Sequence, residues 1–117
     1  MGEQDRKIDW LEQARRAYIG GADRKISDLD QAIAVLEIDP ASPDAREDLR
    51  VLLHNLIGSG ASYGFPAISI IARKMSSALK RATDDRIIIE SGLTEHLRHG
   101  LSELTEAFAK ECEQLGD

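Results

Sequence analysis

Apolar positions recur along this chain at intervals of three and four residues, the spacing that gathers side chains on one face of an α-helix. From Asp5 to Ile19 they are Ile8, Leu11, Ala14 and Tyr18, and Gly20-Gly21 stops the pattern. A second stretch, Asp23 to Ile38, carries Ile26, Leu29, Ile33 and Leu36. It ends at Asp39-Pro40, because the residue before a proline disfavours the α region. The third start is marked most clearly: Ser42 suits the N-cap, Pro43 the first helical position, and Asp44, Glu47 and Asp48 the positive end of the dipole.

That third helix carries Leu49, Leu52, Leu53 and Leu56 on one stripe. Propensity alone predicts a loop at Gly58-Ser59-Gly60, since each interior glycine costs roughly 0.5–1 kcal/mol relative to alanine. A fourth helix starts near Pro66, places Ile68, Ile71, Met75 and Leu79 inward, and breaks at Thr83-Asp84-Asp85. The last has the longest stripe: Leu93, Leu97, Leu101, Leu104, Phe108 and Leu115. Ile87-Ile88-Ile89 is β-branched but has no partner strand, and reads as an apolar lead-in or first turn of that helix.

With short connections, the pattern predicts an all-α fold: an antiparallel up-down four-helix bundle with an additional N-terminal helix. One domain spans residues 1–117, with residues 1–20 as the N-terminal helix and 22–117 as the bundle. Aromatic residues make up 4% of the chain, so its core must be aliphatic. A net charge of −6 argues against a nucleic-acid partner, which demands a basic face. No apolar run approaches the ~20 residues of a membrane span, and MGEQDRKIDW has no signal-peptide core. Cys112 has no second cysteine to pair with, which fits a reducing compartment. The expectation is a soluble, cytoplasmic protein.

The chemistry concentrates between Leu49 and Pro66, LRVLLHNLIGSGASYGFP. At ~100° per residue His54 stands roughly 150° from the centre of the leucine stripe, and therefore points to solvent. Its helical neighbours one turn away are Arg50, Val51, Ile57 and Gly58. An imidazole whose nitrogen carries a free lone pair is a nucleophile. Gly58 and Ala61 leave space over the ring for an incoming domain.

The run His54-Asn55-Leu56-Ile57-Gly58-Ser59-Gly60-Ala61-Ser62-Tyr63-Gly64-Phe65-Pro66 resembles the signature of the histidine phosphotransfer (HPt) domains of two-component phosphorelays. In that family a histidine is followed by an apolar residue, then glycine and small residues, closing on an aromatic-glycine pair. The resemblance implies that the third helix continues to about Ser62, and we take the continued helix. It also implies that His54 accepts a phosphoryl group from a receiver-domain aspartate and passes it to another, usually through Nε2. Response-regulator receiver domains and a sensor or hybrid histidine kinase are the implied partners. Mg²⁺ is expected on the receiver, with no cofactor intrinsic to this chain, and a monomer is expected. Many family members carry lysine one or three places after the histidine; here those positions hold Asn55 and Ile57.

The expected docking face comprises Arg50, Val51, Ile57, Gly58 and Ala61, with Glu47 at its margin. Arg50 is the nearest group for steadying phosphoryl charge, and Arg73 and Lys74 are more distant alternatives. The rival from another class is a helical adaptor that binds receiver domains without being phosphorylated. Intrinsic kinase activity is not expected, because no phosphate-binding glycine loop beside a strand occurs. His96 and His99 lack comparable small neighbours and read as a solvated face; Cys112 reads as a small core residue, and Trp10 and Tyr18 as packing for the first helix. Tyr63-Gly64-Phe65 reads as a corner between helices.

Overall fold

A computed structural model describes residues 3–84 and 92–115, with side chains described for 10–82 and 92–115. The described residues form α1 (Glu3–Gly20), α2 (Ala22–Ile38), α3 (Pro43–Ser62), α4 (Pro66–Asp84) and α5 (Leu93–Leu115), with no strand among them. The isoleucine run at 87–89 lies outside the described residues. Helix α3 packs on α2 and α4, α5 packs on the same two, and α1 touches α5 and α2. The fold is all-helical with bundle-like packing.

Start and stop signals act where the sequence places them. The Ser42 hydroxyl accepts the Ala45 N–H at 3.3 Å, and Pro43 opens α3 without an N–H to leave unsatisfied. The boundary between α1 and α2 is Gly21 alone, whose N–H reaches the carbonyls of Ala17 and Tyr18, both at 3.2 Å. Between α3 and α4, Gly64 takes φ +80°, a left-handed conformation that glycine adopts without a Cβ penalty. This turn lets the Phe65 N–H bond the Gly60 carbonyl at 2.7 Å and drives the Phe65 ring into the core. Tyr63-Gly64-Phe65 is the expected corner.

The core is aliphatic along its length: Leu29, Ile33, Leu36, Leu49, Leu53, Ile68, Leu97 and Leu104 are fully buried. Its aromatic content gathers at one end. There Tyr18 of α1 lies with its ring 4.9 Å from Tyr63, 5.7 Å from Phe65 and 6.1 Å from Phe108, between centroids. Burying such rings together adds specific ring–ring attraction to the area removed from water. Two glycines set helix separations. A Cβ on Gly60 would sit 2.9 Å from the Ser69 nitrogen of α4, and one on Gly100 would strike the Met75 side chain. On the outer surface, Arg98 of α5 grips Glu37 of α2 with Nη2 2.6 Å from Oε1, and also pairs with Asp30.

Two sequence expectations, for Cys112 and for the first helix, are corrected here. Cys112 is exposed: it lies past Phe108, the last buried residue described on α5, where only Leu115 is still partly packed on the core. Trp10 is 69% exposed and Leu11 46% exposed, so the first helix buries its Tyr18 end and leaves these two in solvent. None of the described helices is long and apolar enough to cross a membrane.

Candidate functional site

Helix α3 runs unbroken through Gly58, Ser59 and Gly60, although propensity opposes it there. Three contacts from outside the helix hold this stretch. Buried Ser69 on α4 donates its hydroxyl hydrogen to the Ile57 carbonyl at 2.8 Å. The Tyr18 hydroxyl of α1 lies 2.8 Å from Ser59 Oγ, which itself donates to the Asn55 carbonyl at 2.7 Å. Arg15 donates from Nε to the Tyr63 carbonyl at 3.0 Å and lies over the Phe65 ring. Tertiary contacts thus offset the cost of two helical glycines, and the two have different reasons. Gly60 permits the close approach of α4, whereas a Cβ on Gly58 would meet nothing within 4 Å.

On this helix His54 is exposed, on the face turned away from the buried Leu49, Leu53 and Leu56. Val51 is 41% exposed one turn before it, and Gly58 and Ala61 are exposed beyond it. Ile57 is half-buried and packs on the core, so only its edge contributes to the face. The sequence-predicted docking residues therefore share one side of α3, and the ground over the imidazole on the Gly58 side is open.

Arg50 is placed on that face but is already engaged. Its Nε donates to Glu47 Oε2 at 2.8 Å and its Nη2 to Oε1 at 2.6 Å, a bidentate pair one turn back along the helix. These hydrogen bonds hold the Glu47 carboxyl below the usual carboxylate range and push the Arg50 guanidinium up. Of the more distant cations, Lys74 lines a groove between α4 and α5 with His96 and His99, away from α3. Arg73 falls in register with Ser69 and Ser76 on the α3 side of α4. His96 and His99 are exposed as expected, and His99 Nε2 lies 3.3 Å from Glu103 Oε1.

Sequence reasoning missed the roles of Tyr18, Ser69 and Arg15 in holding the site helix. Ser69 carried one available signal, a serine beside Ile68 and Ala72 on an otherwise apolar stripe. It also missed a groove of about 470 Å³ between α3 and α4, lined by Arg46, Glu47, Arg50, Ser76, Leu79 and Lys80. Among the described residues no group of three or more His, Cys, Asp or Glu side chains is arranged to hold a metal ion. Comparison with protein-family models, curated proteins and solved structures finds no match.

Proposed function

We propose that this protein is a phosphorelay intermediate in which His54 accepts and then donates a phosphoryl group. The observation that carries the reading is the combination at one point of α3: an exposed imidazole facing away from the core-packed leucines, and a glycine one turn on whose side-chain space is empty. A glycine that no packing contact demands inside a helix is a local cost, and clearance for an approaching domain gives that cost a purpose.

In the forward step an imidazole nitrogen of His54 attacks the phosphorus of an aspartyl phosphate on a receiver domain. The N–P bond forms, the P–O bond to the aspartyl carboxyl breaks, and the carboxylate leaves with the bonding pair. A second receiver's aspartate reverses the step. Mg²⁺ and most of the charge stabilisation belong to the receiver, and this chain supplies the nucleophile and the docking surface without a cofactor or kinase activity of its own. The reading includes an up-down arrangement of α2 to α5, with α1 as an added helix. Their pairwise packing around a shared aliphatic core supports this. A cytoplasmic monomer with a small, transient interface completes it.

A second reading, an adaptor that binds receiver domains without taking phosphate, is favoured by Ile57 standing where lysine is common and by the engagement of Arg50 with Glu47. Incubation with receiver domains phosphorylated by acetyl phosphate separates the two. Label moving to this chain supports the relay; a stable complex with no label supports the adaptor.

A further inference from the structure

The two sides of α3 in the turns preceding His54 are electrically asymmetric. Toward α2 lies an open groove of about 620 Å³ between α2 and α3, whose charged lining residues are Asp28, Asp44 and Asp48. Its apolar part includes Val35 and Val51, 46% and 41% exposed. Toward α4 the α3–α4 groove carries Arg46, Arg50 and Lys80, against the single carboxylate of Glu47. Within this groove the Glu47 carboxylate sits bidentate on Arg50, the pairing that a partner's carboxylate would compete for or extend. The ridge of α3 that separates the two grooves continues to His54, within about one turn of their last α3 residues: in helical register Val51 and Asp48 turn one way from it, Arg50 and Arg46 the other. In a chain of net charge −6 a basic strip beside the candidate nucleophile departs from the average surface.

We propose that this polarity sets the orientation in which a partner docks. The partner is a receiver domain that carries lysine or arginine around an apolar contact over the α2–α3 groove, and carboxylates over the α3–α4 groove. The inference rests on the phosphorelay reading and adds the chemistry of the partner's surface to it. Complementary charge of this kind steers encounter and penalises the reversed pose, so it acts on association more than on the bond-making step. A partner docked the other way round would face like charge on both flanks. Val35 and Val51 then supply the dehydrated contact that holds the pose once formed.

The experiment compares the wild-type chain with Asp28→Lys/Asp48→Lys and with Lys80→Glu. Each is offered phosphoramidate, a small donor with no docking surface, and receiver domains phosphorylated with acetyl phosphate. Phosphoramidate should label His54 equally in all three. Transfer from a receiver should fall about tenfold or more in each variant at low salt, and the gap should close as salt screens the charges. Receiver transfer at the wild-type rate in both variants overturns the proposal while leaving the relay intact. A wild-type chain that phosphoramidate labels at His54 but that exchanges with no receiver domain overturns the docking proposal and the relay together.

Discussion

The Tyr18 hydroxyl and Ser59 Oγ lie 2.8 Å apart, joining α1 to the turn of α3 that follows His54. Through this bond the C-terminal end of α1 bears on the site. Ser59 is also bonded to the Asn55 carbonyl, so the tyrosine holds a residue that is itself tied to the histidine's turn.

Removing only that hydroxyl, with Tyr18→Phe, keeps the stacking on Tyr63, Phe65 and Phe108 and deletes the bridge. We expect a loss of about 1 kcal/mol in denaturant unfolding, the typical worth of one such bond, with helicity unchanged. Amide exchange should accelerate at residues 59–62 before it does elsewhere. Uniform acceleration across all helices would show that the bond has no local role.

The glycines of α3 should respond oppositely to the same change. Gly60→Ala forces a Cβ to within 2.9 Å of a backbone nitrogen, so it should destabilise by about 1–3 kcal/mol, as overpacking does. Gly58→Ala meets open space and should stabilise by about 0.5–1 kcal/mol through helix propensity. Gly58→Gln should keep the fold and slow receiver transfer, because the longer side chain fills the clearance beside the ring. Thermal melts and transfer rates of the three variants check all of this.

Acid should loosen the α2–α5 contact selectively. Hydrogen bonds from Arg98 hold the Glu37 carboxyl below the usual carboxylate range. A lowered native value means stability that is full above the unfolded glutamate value near ~4.3 and is lost as pH falls through the native one. The melting difference between wild type and Arg98→Met should therefore be present at neutral pH, a few degrees in favour of wild type, and shrink below about pH 4. A gap that persists undiminished in acid would point to packing of the arginine stem instead.

Much of the fold was legible because it rests on local rules. Ser42-Pro43, Asp39-Pro40 and Gly20-Gly21 mark ends through backbone chemistry that needs no partner, and the leucine stripes needed only the helical period. Cys112 and Trp10 were misjudged for a related reason: periodicity says which face a residue occupies, but not whether another helix covers that face. At the site, the exposure of His54 and the shared face of Arg50, Val51, Gly58 and Ala61 followed from register within one helix. The straps from Tyr18, Ser69 and Arg15 and the basic groove did not, because each joins residues from separate helices. Gly58 and Gly60 look identical in sequence, and only the position of α4 tells them apart.

The measurement that bears most directly on the central claim is chemical identification of the phosphorylated residue after exposure to a phosphorylated receiver domain. We expect one modification, stable in alkali and labile in acid, mapped by mass spectrometry to the peptide containing His54 and absent from His54→Gln. Undiminished label in His54→Gln, or a wild-type chain that binds the receiver and stays unlabelled, would contradict the account.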